Sequence, residues 1–208
     1  RLFLTDEKSR WIGSSSELIR IKGDRITRFP IHTNIESSRS LTTMAVNLNN
    51  VLLIVLSENN LNSKIYLYDQ LNSKKENIFD TTYITLHNTL IKTVCTDYNG
   101  NFWLGANDGS IINITPQGVV TRSLETKNTT IPGNSISSLC IDSNSNIWAG
   151  VSGNMMRSDI QGAITRFDGQ KWKSFPGQGD VLPGREVSSI ACDASGKVWA
   201  GFKQDPIM

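Results

Sequence analysis

The chain has 208 residues, with 21 basic and 19 acidic side chains and a formal net charge of +2. Charges of both signs are scattered along it, so nothing marks a basic face for nucleic acid or an acidic tail. The longest unbroken apolar run, Val51 to Leu56, falls far short of the roughly 20 residues a membrane helix needs, and no membrane span is expected in this chain.

From Arg1 to Pro30, the segments LFLT, WIGS, LIRIK and RITRF alternate with period two and predict four short strands, broken at Asp6, at Ser14 to Ser16 and at Gly23-Asp24. Ile31 to Ser40 reads as a polar loop carrying His32. Between Leu41 and Phe79 the segments LTTMAVNL, VLLIVLS, KIYLYD and ENIF give four more strands. The unbroken apolarity of VLLIVL fits a strand buried on both faces. Ile91 to Glu125 holds the cleanest set, its four strands parted by turns that contain Gly100, Gly109 and Gly118, each able to take a positive φ. From Ser135 a longer set follows, with ITRFD (Ile164 to Asp168) as its third strand, KWKSF (Lys171 to Phe175) as its outer one, and Met155 to Gly162 as a loop extension. A Gly- and Pro-rich connector, Gly177 to Gly184, leads to two last strands within Val187 to Phe202. No window carries a helical apolar stripe with caps, so the whole chain is read as β.

One hairpin recurs through these sets. Asp97, Asp142 and Asp193 each stand six residues before Trp103, Trp148 and Trp199, and each Trp is followed two residues later by Gly105, Gly150 or Gly201. An N-terminal copy has Asp6, Trp11 and Gly13, with a turn one residue shorter. In a degenerate copy Asn47, Leu53 and Val55 take the three places. The Trp places recur every 42 to 51 residues, which is the size of one four-stranded propeller blade. The expectation is an all-β propeller of about four and a half blades, at approximately 1–36, 37–80, 81–126, 127–178 and a partial 179–208. In each hairpin the Asp serves the turn, the Trp fills the wedge between blades, and the Gly permits close approach.

The stretches Ile136 to Asp159 and Gly162 to Gly201 resemble the two-component-regulator propeller repeat: an Ile-led strand, an Asp-x-x-Gly-like turn, an aromatic-x-Gly strand, then an Arg-Phe-Asp strand. ITRFDGQKWKSFPGQG with VLPGREVSSIACDASGKVWAG carries the resemblance most specifically. It implies a periplasmic or extracellular sensor propeller of a bacterial hybrid histidine kinase, with an oligosaccharide or other small ligand and other domains of the same polypeptide as partners. Such propellers usually have seven blades, so the resemblance implies a fragment of a larger ring or a truncated product. Any kinase activity would lie outside this chain.

Catalytic chemistry is not indicated. His32 and His87 lie in loops between blades, away from Cys, Asp or Glu at metal-ligand spacing, and there is no nucleophile elbow or phosphate-binding loop. No cofactor and no metal are expected: one Asp per blade falls short of the six to eight oxygens that calcium takes. Asn113 and Asn128 match the glycosylation acceptor pattern, which matters only in a secreted eukaryotic protein. Cys95 and Cys140 hold the same repeat place and Cys192 lies one residue nearer its Asp. Matching places on neighbouring blades usually lie too far apart to bridge, so all three are read as small apolar side chains packed in inner strands. Propeller ligands meet the loops around the central channel, where Arg39, Lys92 and Arg185 are the candidates to bind a carboxylate or sulfate on an acidic sugar, with Trp172 at an outer strand. The same residues also read as ordinary solvated charges. Two alternatives stand beside a sensing domain: a protein-interaction scaffold, and an enzyme similar to virginiamycin B lyase, which NITPQGVVTRSL resembles locally. The lyase is discounted because neither His has acidic partners.

Overall fold

A computed structural model describes residues 2–5, 9–31, 39–72, 78–80, 83–124, 135–152, 162–176 and 186–203. Among them the regular structure is antiparallel strand apart from one 3-10 turn, Ile78–Asp80. The first sheet contains β1 (Leu2–Thr5), β2 (Arg10–Gly13), β3 (Glu17–Lys22) and β4 (Arg25–Pro30) in that order. The second has β5 (Arg39–Val46), β6 (Val51–Glu58), β7 (Asn62–Asp69) and β8 (Tyr83–Leu86). The third has β9 (Ile91–Thr96), β10 (Phe102–Ala106), β11 (Ile111–Ile114) and β12 (Val120–Leu124). The fourth has β13 (Ser135–Ile141), β14 (Ile147–Ser152), β15 (Ala163–Phe167) and β16 (Trp172–Pro176), and it is joined by the hairpin of β17 (Glu186–Cys192) and β18 (Val198–Lys203) through one residue pair, Ser152 with Glu186. Each sheet is thus a meander, and each is one propeller blade.

The second blade departs from expectation. ENIF is not its outer strand. Ile78 and Phe79 lie in the 3-10 turn, where Ile78 is fully buried and the Phe79 ring meets Tyr66 edge-on at 5.3 Å. Two adjacent apolar residues suit a plug better than a strand, whose side chains alternate between faces. The outer strand is YITL, paired with β7 from Ser63–Leu86 to Tyr66–Tyr83, so this blade runs past residue 80 to Leu86. ITRFD and KWKSF do supply the third and fourth strands of the fourth blade, and Met155 to Gln161 lie outside the described residues.

Packing follows from two-sided burial. Successive first strands lie side by side, β5 with β9, β9 with β13 and β13 with β17, which puts them innermost. Four apolar clusters fill the spaces between blades. Trp11 and Leu18 pack on Leu52, Ile54 and Tyr66. Leu53, Val55 and Ile65 pack on Ile91, Phe102 and Leu104. Trp103 and Ile111 pack on Ile136, Leu139 and Ile147, and Trp148 and Ile164 on Val187, Ile190 and Val198. Each large aliphatic side chain so buried contributes about 1.5–3 kcal/mol. VLLIVL is buried along its whole length because β6 serves two of these clusters, one on each face.

The alternation corrects the reading of the cysteines. Cys140 and Cys192 form a disulfide, with Cα atoms 5.9 Å apart. In an inner strand, a residue two before the Asp looks forward to the next blade, and a residue one before it looks back: Cys140 packs with the fifth hairpin, whereas Ile141 packs with the third blade. Matching places therefore never face each other. The one-residue offset of Cys192 turns its side chain to the opposite face, where it meets Cys140. Cys95 looks forward to the apolar cluster shared with the fourth blade and stays a free thiol, its pKa pushed up by burial.

Candidate functional site

The repeated turns have one geometry. In each, the fourth turn residue is left-handed: Asn50 (φ 58), Gly100 (φ 82), Ser145 (φ 63) and Gly196 (φ 81). Asp142 Oδ1 accepts from the backbone N–H groups of Asn144 and Asn146, both at 2.9 Å, and its Oδ2 accepts from Trp148 Nε1 at 2.8 Å. Asp97 does the same for Asn99, Asn101 and Trp103, and Asp193 for Ser195, Lys197 and Trp199. Burial opposes the charge on Asp142, but the bonds from Trp148 and Asn146 outweigh it and hold the carboxyl below its usual range. Asp193 drops to about 2, first through the Ser195 hydroxyl and then the Trp199 indole. These carboxylates are committed to their own hairpins. Among the described residues, no group of three or more His, Cys, Asp or Glu could hold a metal. Asp6 lies outside the described residues.

In the degenerate copy both ends of this link change. Asn47 Oδ1 still accepts from the N–H groups of Asn49 and Val51, but its Nδ2 donates to Gly100 O of the next blade at 2.6 Å, and Leu53 stands where the indole would be. The glycine places answer to the next blade as well. A Cβ on Gly105 would collide with Ile136 Cγ2, and one on Gly150 would lie 2.6 Å from Val187 Cγ1. A Cβ on Gly201 would meet only serine side chains of its own hairpin, Ser188 and Ser189. Trp11 is fully buried with Gly13, Trp103 is buried and Trp148 half-buried, but Trp199 is 63% exposed. The third strand adds a feature missed in the sequence: Arg20 lies 5.5 Å above the ring of Trp11, and Arg166 lies 5.8 Å above that of Trp148. Each Arg faces its Trp across the β-ladder, so register was the signal that could have found them.

Of the three candidate ligand cations, two are described. Arg39 begins β5 and Lys92 is the second residue of β9, so both stand at the entry ends of adjacent inner strands. Lys92 is exposed. Arg39 is engaged: its Nε and Nη2 both donate to Glu58 Oε1 at 2.9 Å, and Lys64 Nζ reaches the same oxygen at 3.1 Å. Burial opposes the charge on Glu58, but Lys64 and Arg39 together keep its carboxyl below the usual range. Glu58 and Lys64 were not singled out in the sequence, although folding the hairpin about Asn47 to Asn50 places Glu58 opposite Arg39. Arg185 and His32 lie outside the described residues. His87 sits in the exposed turn between β8 and β9. Asn113 is buried, bonded to Phe102 O and Thr121, with no room for a glycan, and Asn128 is outside the described residues. Trp172 is half-buried at the start of β16, its ring 5.0 Å from Phe167.

Comparison with known proteins agrees with this architecture. Residues 130–153, which contain the β13–β14 hairpin with Asp142, Trp148 and Gly150, match the family described as Two component regulator propeller. No curated protein sequence matches the chain. Among solved structures, the extracellular domain of the putative hybrid two component system BT4673 from B. thetaiotaomicron superposes with a TM-score of 0.64 at 14% identity, over 97% of this chain and 26% of that one. The corresponding domain of BT3049 from the same organism gives 0.54 at 14% identity, over 95% and 31%. The WD40 β-propeller domain of Doa1 gives 0.62 at 17% identity, over 96% and 59%. The chain therefore spans only part of each of these proteins, and at such identities the likeness is one of fold. The chain is an arc of β-propeller blades that carries the two component regulator propeller repeat.

Proposed function

We propose that this arc is a non-catalytic sensing domain of a two-component system, working outside the cytoplasm and responding to an oligosaccharide. The observation that carries the reading is the two component regulator propeller repeat at residues 130–153, set in a fold shared with extracellular domains of such systems. Two further features support it. The Cys140–Cys192 bridge suits an oxidising compartment, and the repeated carboxylates are occupied in turns rather than gathered for chemistry. At the mouth, Lys92 is the cation offered to an acidic sugar, with Arg39 available once Glu58 yields it, and Arg185 is assigned to the same site from its place in the sequence repeat alone. The test is a glycan array probed with the protein, followed by the Lys92→Ala variant. Retention of a uronate or sulfated glycan, weakened about tenfold in the variant, is the expected outcome. A blank array overturns the carbohydrate reading, and binding unaffected by the variant overturns the mouth as its site.

A further inference from the structure

At the opposite end of the blades from Arg39 and Lys92, a cavity of about 590 Å³ opens between the second and third blades. That volume falls within the range of small-molecule sites, roughly 300–1,000 Å³. Three turns frame it: the β5–β6 turn with Asn49, the end of β7 with Asp69 and Asn72, and the β11–β12 turn with Gln117. Ile65 and Leu67, from the forward face of β7, give it an apolar wall. At its edge the β11–β12 turn comes close to that wall: Gly118 is left-handed (φ +85), and a Cβ there would lie 3.2 Å from Leu67 Cδ1.

The geometry points to this cavity as a binding site for a neutral saccharide, separate from the mouth and standing whether or not the mouth binds an acidic glycan. Four chemical features select that class. Among the described lining residues Asp69 is the one that carries a charge, and its carboxylate repels a polyanion. A lone ammonium is poorly served too, because Asp69 already accepts from the N–H groups of Leu71 and Asn72 and from Asn72 Nδ2, all at 2.9 Å. Asn49, Asn72 and Gln117 each carry an amide that both donates and accepts, which is what a hydroxyl requires. An aliphatic wall opposite polar amides matches a sugar ring, which presents C–H faces and hydroxyl edges.

Isothermal titration of the protein with maltotetraose, xylotetraose and a fructo-oligosaccharide tests the assignment, with a tetragalacturonate as the acidic control. One of the neutral sugars is expected to bind with a dissociation constant between about 10 μM and 1 mM. Leu67→Trp, which fills the cavity, should weaken it by at least about tenfold. Gln117→Ala, at an exposed turn position, should weaken it about threefold to tenfold without unfolding risk, and Lys92→Ala should leave it unchanged. No heat with any neutral sugar at about 5 mM overturns the assignment. So does neutral-sugar binding that is indifferent to both cavity variants, or binding by tetragalacturonate alone. Loss of tetragalacturonate binding in Lys92→Ala, with neutral sugars still bound in the cavity, would leave both sites standing. Failure of the mouth alone would leave this one untouched.

Discussion

The β13–β14 and β17–β18 hairpins are near copies in sequence and differ in what lies in front of them. Asp142 and Asp193 make the same three bonds, to two backbone N–H groups and one indole, within 0.3 Å of each other. Trp148 is nevertheless half-buried against the next hairpin, while Trp199 is 63% exposed. The turn is therefore a local product of six or so residues. The wedge is not: an indole held in place by its own Asp still needs a neighbouring blade to become core. Gly150 and Gly201 divide in the same way, since only Gly150 lies against a side chain of the next strand.

The largest effect should come from deleting a covered indole. Trp103→Ala removes a buried side chain from the cluster between the third and fourth blades and should cost about 3–5 kcal/mol. Trp199→Ala should cost less than about 1 kcal/mol. Urea unfolding of the two variants checks this, and equal losses would mean that Trp199 is covered in solution. Next comes the bridge. Cys140 and Cys192 are 52 residues apart, so reduction should lower stability by about 2–4 kcal/mol. Thiol titration of the unfolded protein should find one free thiol before reduction and three after. If three appear before reduction, the facing rule for inner strands fails. The smallest effect is acid sensitivity. A carboxyl with a depressed folded pKa contributes stability that is whole above its ordinary value, 3.8 for Asp193, and is lost as pH falls through the folded value of about 2. Tryptophan emission followed from pH 5 to pH 1.5 should show a transition in that window. Asp142→Asn should flatten it more than Asp168→Asn, whose carboxyl accepts from the backbone N–H groups of Gln170 and Lys171 rather than from an indole.

Most of the strand pattern was legible because the blades are meanders: each strand pairs with its neighbour in sequence, and alternation, Asp turns and glycines are local signals. ITRFD and KWKSF were found in this way. What escaped was whatever depends on which face a residue takes relative to a partner far along the chain. The disulfide turns on a single-residue offset between Cys140 and Cys192, which reads as trivial until strand alternation doubles its meaning. Arg39 looked like a free cation because Glu58, its partner, is 19 residues away in sequence and opposite it only after the hairpin closes. In the sequence ENIF and YITL are equally strand-like, and only the tertiary need for a plug against Tyr66 distinguishes them. The cavity beside Leu67 has no sequence signature, since its three turns come from two different blades.

The second blade's Asn47 and Leu53 carry one more implication. A carboxylate facing an indole N–H and an amide facing a neighbouring carbonyl are alternative wirings of the same corner: one closes the circuit inside a blade, the other runs it across to Gly100. The two positions should therefore drift as a pair. Restoring only the indole with Leu53→Trp would set its N–H against Asn47 Nδ2, itself a donor committed to Gly100 O, because Oδ1 already accepts two backbone N–H groups. Repeats of this kind that look eroded by the loss of their tryptophan can thus be intact joints that have exchanged an internal tie for an external one.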